Sequence, residues 1–344
     1  MTDIKTSTHE TSDGKKDQLR QFLSRNAIYA VLVVLIIIIA VIDPKFLSLT
    51  SLRDILLQSS TRIIIALGAL FVILTGGCDL SAGRTVGLAA VVSASLLQTA
   101  DYSNRFFPGL GQLPIIVPIL IAIVTGMLAG LLNGWIISKF DVPPFITTLG
   151  TMLIIYGINS IYFDLPPNSS QPIGGLREDF TTLGSGSVLN IPYILIIALV
   201  AVAIIYVVLN KTRFGKNLYA IGGNREAANV SGINVKKCLL AVYIISGLLY
   251  ALAGSLEAAR TGSATNNYGN GYELDAYSAC IVGGCSVSGG VGSVPGIVVG
   301  VIIFSVINYG LTFIGVNPYW QQIIKGSIIV VAVAVDIRKY LKNR

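Results

Sequence analysis

A carboxylate and a guanidinium five residues apart inside an apolar run are groups that bind an ion, pass a proton or cancel one another. Asp79 and Arg84 are placed so in ILTGGCDLSAGRTVGL, residues 73–88. Gly76 and Gly77 precede them and Ser81 lies between; glycine lets a chain unwind and lets backbones approach closely. A near copy follows late in the chain. Residues 75–83 read TGGCDLSAG and residues 282–290 read VGGCSVSGG, so Gly283, Gly284 and Ser288 stand where Gly76, Gly77 and Ser81 do. Both copies have apolar flanks, which makes each a candidate helix break beside a polar path. The competing reading is two tight turns between helices. Backbone freed at a break persists at membrane depth only where protein or a water-filled cavity satisfies it. Asp79 and Arg84 are accordingly expected to neutralise each other and to shape a path without gripping a charge. Asn133, Asn159 and Asn308 also lie in apolar runs, able to bond a polar solute or a neighbouring helix.

Little else in the sequence suggests chemistry. The one histidine is His9, near the N-terminus, and Cys78, Cys238, Cys280 and Cys285 have no metal-ligand spacing. No nucleophile stands beside a base, and no phosphate loop of the form G-x-x-x-x-G-K-[ST] occurs. GGVGSVPG, from Gly289, lacks the third glycine of a dinucleotide fingerprint. The expectation is a chain that is not an enzyme, holds no metal or cofactor and has no nucleic-acid partner.

The elements that must position these residues are membrane helices. Hydrophobic residues make up 53% of the 344 and charged residues 12%, about half the charge of a soluble domain. The apolar runs are continuous, which excludes the short alternating strands of a membrane barrel. A crossing helix needs about 20 apolar residues. Candidate spans are 26–42, 63–75, 84–99, 113–138, 143–163, 190–209, 238–259, 292–314 and 319–337, with 274–285 a shorter, more polar piece. Residues 1–25 form a polar tail without the apolar core of a signal peptide, expected to be disordered. Gly126, Gly130 and Gly134 form one small-residue face and Gly296 and Gly300 another, both suited to close helix packing.

Loop 210–237 carries Lys211, Arg213, Lys216, Arg225, Lys236 and Lys237 against Glu226, whereas loop 164–190 carries Asp164, Glu178 and Asp179 against Arg177. Positive loops face the cytoplasm, so 210–237 and the basic tail 338–344 are expected inside and 164–190 outside. Counting from both ends then requires 274–285 to complete a crossing. The expected fold is an all-α polytopic membrane domain over 26–337, about ten segments with short or broken helices, both termini cytoplasmic. On that count both glycine copies lie toward the same side, unlike an inverted repeat.

Loop 210–237 also has internal order. Gly222-Gly223-Asn224 introduces Arg225-Glu226-Ala227-Ala228, and Gly232 closes the segment. Asn224 is a natural N-cap with an acid in the first turn after it, which predicts a short helix outside the membrane. A chain with no energy source of its own has a use for such a helix as a docking point.

Glu226-Ala227-Ala228-x-x-x-Gly232 resembles the EAA loop of ATP-binding-cassette importer permeases, and GGNREAANVSGINV and TGGCDLSAG look like the ribose/galactose class of that family. The likeness runs from about residue 26 to the C-terminus; SSTRIIIALG, PFITTLGTM, NKTRFGKN, GSATNN, YELDA and INYGLTFIGVNPYWQ resemble its galactose-transporting members. The resemblance implies a homodimeric permease subunit in the bacterial inner membrane. It implies an ABC ATPase on the coupling residues Gly222, Gly223, Asn224, Glu226, Ala227, Ala228 and Gly232. It also implies a periplasmic or lipid-anchored binding protein that delivers galactose, methyl-galactoside or a related monosaccharide. The alternative from residues alone is an ion-coupled carrier using Asp79, Glu257 and Asp275; a scaffold without transport has no specific support.

Overall fold

A computed structural model of the chain describes residues 27–342; the predicted disordered tail 1–25 lies outside them. In chain order the helices are α1 (Ala27–Ile42), α2 (Leu49–Leu74), α3 (Ala82–Leu96), α4 (Ile116–Phe140), α5 (Pro144–Asp164), α6 (Glu178–Ser185), α7 (Tyr193–Lys211), α8 (Arg213–Gly223), α9 (Arg225–Val230), α10 (Val235–Thr261), α11 (Tyr272–Val282), α12 (Val294–Phe313) and α13 (Pro318–Lys342). A two-residue hairpin, β1 (Ser187–Val188) with β2 (Ile191–Pro192), lies before α7. Among the described residues, α2, α4, α5, α7, α10 and α12 are long and apolar enough to cross a membrane. Every predicted apolar run coincides with a helix.

Three boundaries differ from expectation. The run predicted at 63–75 is only the second half of α2, which begins at Leu49. Its first half is rich in serine, threonine and charge, yet Ser48 caps it by accepting from Ser51 N, and the Ser59 and Ser60 hydroxyls donate to the carbonyls of Ile55 and Leu56 four residues back. Hydroxyls absorbed into the helix ladder in this way leave little polarity to break it. The second boundary is the short piece at 274–285. Helix α11 has 11 residues, a rise of about 16 Å against a hydrocarbon core of about 30 Å. Residues 262–271, without helix, connect it to the end of α10. Helix α13 runs on through Lys342, past the predicted end at 337.

Lipid is as apolar as leucine, so membrane helices associate through close packing rather than hydrophobic burial. Helix α10 lies at the centre against α2, α3 and α4. The predicted glycine face of α4 meets it: Gly126 abuts the Gly247 backbone and Gly130 the Tyr243 backbone, where a Cβ would collide. The second predicted face, Gly296 and Gly300, lies against the backbone of Gly283 and Ala279. All of α2 from Ile63 to Leu74 is buried. Loops 164–190 and 210–237 lie at opposite ends of α7. At the first end the chain is tied by bridges between Gln98 and Leu176 and between Ile173 and Ala264.

Candidate functional site

The exposed loop between α7 and α10 is ordered as its residues predict. Asn224 caps α9 by accepting from Ala227 N at 2.9 Å through its side chain. Gly232, at φ +85°, ends it, with Ile233 N donating to Ala228 O at 3.1 Å. Ala228 is buried and fixes the helix, while Glu226 and Ala227 face outward. Arg225 joins the loop to the end of α4 through an exposed ion pair with Asp141 at 2.6 Å. Before it, α8 buries Gly215, Leu218 and Ile221. Its Tyr219 hydroxyl donates to Gly292 O at 3.0 Å. Burial pushes the Tyr219 phenol above its ordinary value, so it remains a proton donor at neutral pH.

The two glycine copies meet each other and the root of this loop. Gly290 N donates to Leu74 O at 3.0 Å. Ser288 and Gly289 abut Gly76, and Gly222 lies directly on the Leu74 carbonyl and the Gly290 backbone, leaving no room for a Cβ. Gly223, beside it, faces open space. Gly76 (φ +73°) and Gly284 (φ +89°) take the left-handed conformation that closes α2 and α11.

Asp79 and Arg84 do not pair, contrary to expectation. Asp79 is buried and accepts from Ser81 N at 2.9 Å and Ser81 Oγ at 2.6 Å. Asn133 Nδ2 donates to Ser81 Oγ at 2.8 Å, and Thr151 Oγ1 donates to Asn133 Oδ1 at 2.6 Å. The donors therefore run in one direction, from α5 through α4 to the carboxylate. The neighbouring backbone is satisfied as well: Asp79 N donates to the Tyr277 hydroxyl, Leu80 N to Thr148 Oγ1 at 3.1 Å, and Tyr243 Oη to Cys78 O at 3.3 Å. Helices α4, α5, α10 and α11 thus all supply side chains to this turn. Arg84 points elsewhere. It bonds Asn267 at 3.5 Å and Asn270 at 2.9 Å in the segment 262–271, and stacks on the Tyr156 ring at 4.3 Å. Asp79 lies in the turn before α3, where Ser81 takes up its carboxylate, whereas Arg84 is on α3 itself and turns to segment 262–271.

Asn308 stands apart from both groups, on α12, with its Oδ1 buried and unpartnered. Asn159 lies beside segment 262–271, bonding Asn266 O at 3.4 Å. Sequence reasoning missed the partners Thr148, Thr151, Tyr243 and Tyr277, for which no local spacing gives a signal. It also left Arg62 outside the predicted span. Arg62 pairs with Asp275 at 2.5 Å, and Glu257 with Arg260 at 2.7 Å. The four-residue spacing of Asp54, Gln58 and Arg62 was the available signal. Among the described residues no cluster of histidine, cysteine and carboxylates is arranged to hold a metal.

Residues 51–333 match the family described as branched-chain amino acid transport system / permease component, and the chain belongs to that family. It is a transport component rather than an enzyme. Over 333 residues it is 57% identical to the galactose/methyl galactoside import permease protein MglC of Escherichia coli K12, covering 96% of this chain and 98% of the relative. It is 54% identical over 334 residues to the protein of the same description from Haemophilus influenzae, covering 96% and 99%. The ribose import permease protein RbsC of Bacillus subtilis is 39% identical over 329 residues, covering 95% of each. No solved structure matches the chain.

Proposed function

We propose that the chain is the membrane subunit of an ATP-driven importer and forms the passage for galactose, a methyl galactoside or a closely related monosaccharide. The sugar rests on the function of relatives more than half identical over nearly the whole chain. The observation that carries the mechanism is the α8–α9 loop. It presents Glu226 and Ala227 to solvent while its root, Gly222, touches the end of α2 and the second glycine copy. A separate ABC ATPase would dock on Gly222–Gly232 and, hydrolysing ATP in its own site, move the end of α2 and the loop after α11 through that root; this chain itself would hold no cofactor.

In this reading ten helices, α1–α5, α7 and α10–α13, make ten crossings, α11 completing its own with segment 262–271. Loop 210–237 and both termini face the cytoplasm, and loop 164–190 faces a periplasmic or lipid-anchored sugar-binding protein. Two copies enclose the path, within the inner membrane and its lipid. The ion-coupled alternative has less support, because Glu257 and Asp275 each already face an arginine.

The test is uptake of labelled galactose into proteoliposomes, with the chain alone or with its ATPase and binding protein. Uptake should require the full set and ATP. Glu226→Lys should abolish it while membrane insertion is unchanged. Uptake by the chain alone, stopped by an ionophore, would replace this reading with the ion-coupled one.

A further inference from the structure

Residues 262–271, without helix, run back from the end of α10 along α3. The carbonyls of Tyr268 and Gly269 lie on Gly87 and Gly83 of α3, where a Cβ would collide. Asn266 reaches α5 from the same segment, its Nδ2 donating to Ser160 Oγ at 3.2 Å. The segment is thus held against α3 and α5 on the outside of the bundle, and it leaves Asn267 and Asn270 exposed.

Arg84 stands in the middle of this face. Its guanidinium donates to the Oδ1 atoms of Asn267 and Asn270 and lies over the exposed Tyr156 ring. Tyr156 gives the depth, being about 18 Å along α5 from Pro144 and about 12 Å from Asp164. The rest of the exposed surface of α5 nearby is apolar, with Leu149, Leu153, Ile154 and Ile158. The Glu273 carboxylate lies against Gly83. Among the described residues, however, no carboxylate oxygen comes within 4.0 Å of the guanidinium.

Two independent features set this face apart from a lipid-facing one. A guanidinium at mid-depth with no ion pair is costly in hydrocarbon. Non-helical backbone at membrane depth persists only where it is buried in protein or lines a water-filled cavity. The face also has bonding capacity to spare. A guanidinium carries five N–H donors, and Arg84 uses two. Among the described residues, the amide N–H groups of Asn267 and Asn270 and the Tyr156 hydroxyl make no hydrogen bond. Asn159, three residues from Tyr156 along α5, is 1% exposed, and its Oδ1 is unpartnered.

We propose that the face made by α3, α5 and segment 262–271 is the wall that each copy turns toward the sugar passage, and that Arg84, Tyr156, Asn267 and Asn270 are its mid-depth sugar contact and help to decide which sugars pass. This rests on the importer reading above. A face rich in N–H donors takes the hydroxyl and ring oxygens of a pyranose. It offers a neutral sugar hydrogen bonds spread over four side chains, and no enclosed pocket. A passage needs such weak holding, since a solute must leave as readily as it enters.

Two measurements test this. In the first, Tyr156→Cys, Asn270→Cys and a control on the exposed apolar face of α7, Val200→Cys, are made in the complete transporter in lipid nanodiscs, where reagent meets both membrane faces. The reagent is a charged, membrane-impermeant thiosulfonate, with the unsubstituted chain as the blank. Tyr156→Cys and Asn270→Cys should react at least about ten-fold faster than the control, a contrast equivalent to about 1.4 kcal/mol of access. Rates equal to the control mean that the face meets lipid or a dry contact between copies, and they overturn the proposal. This readout needs no transport.

In the second, the complete transporter carries Asn267→Ala, Asn270→Ala or Arg84→Lys, and uptake of galactose is compared with uptake of methyl galactoside. The binding protein is the same in every variant, so a changed ratio between the two sugars reports this chain. The ratio should shift several-fold, whereas residues that only fasten segment 262–271 would lower both uptakes equally. A ratio unchanged in all three variants overturns sugar contact. Absence of ATP-dependent uptake by the unsubstituted transporter removes the importer reading, and the sugar contact with it, while the labelling still decides whether the face meets water.

Discussion

Residues 75–83 and 282–290 share a sequence pattern, yet they are held by different means. Both end a helix with the same turn. Gly77 N donates to Val72 O at 3.0 Å and Cys285 N to Cys280 O at 2.9 Å, each reaching five residues back, with a left-handed glycine, Gly76 or Gly284, just before. This is the Schellman closure. The turns are one residue out of step with the sequence match, because α11 takes in Val282 whereas Thr75 already caps α2. The residues aligned at Asp79 and Ser286 then repeat a smaller motif, each accepting through its side chain from the backbone N–H two residues on. Beyond that the copies diverge. The first buries Asp79 and Ser81 and is fastened by side chains from four helices. The second exposes Val287 and Ser288 and turns back on itself through Ser286 N to Val291 O at 3.0 Å. Sequence likeness here records a shared way of stopping a helix, and the polar residues between the glycines decide what surrounds the stop.

The strongest test of this comparison is the glycine that touches both copies. Gly222→Val drives a side chain into the Leu74 carbonyl and the Gly290 backbone and should cost about 3 kcal/mol by overpacking. Gly223→Val, facing open space, should shift stability by under about 1 kcal/mol. Thermal unfolding of the purified protein in detergent separates them, and equal losses would mean that the copies do not meet at Gly222. Next in size is Asp79→Ala. It strands the Ser81 N–H and hydroxyl and should cost about 2 kcal/mol. Asp79→Asn keeps an acceptor and should preserve both stability and galactose uptake; a stable Asn variant without uptake would make the carboxylate charge itself a working part. Smallest are Gly76→Ala and Gly284→Ala, each expected to cost about 1–2 kcal/mol for a left-handed alanine. Clearly unequal values would break the equivalence of the two turns.

Much of this was legible because local chemistry controls it. Asn224 before REAA announced its own cap, and the glycine spacings on α4 and α12 announced close packing, since both depend on residues within a few positions. The partner of Asp79 was misread because Arg84 is near in sequence, while the groups that complete the network come from Asn133 and Thr151 on other helices. The first half of α2 escaped for a related reason. Its serines and threonines lower hydropathy in the sequence, but in the fold their hydroxyls bond the helix carbonyls and its charges meet Asp275 and Tyr309. Hydropathy counts what a residue offers to water, not the bonds it has already made.

The contact of Gly222 with Leu74 and Gly290 has a mechanical consequence. Most helix contacts are cushioned by side chains that change rotamer and absorb small displacements. Here backbone lies on backbone, with no torsion in between to take up slack. A push at α8 therefore bears directly on the end of α2 and on the loop between α11 and α12, as a rigid lever passes on load where a spring would store it.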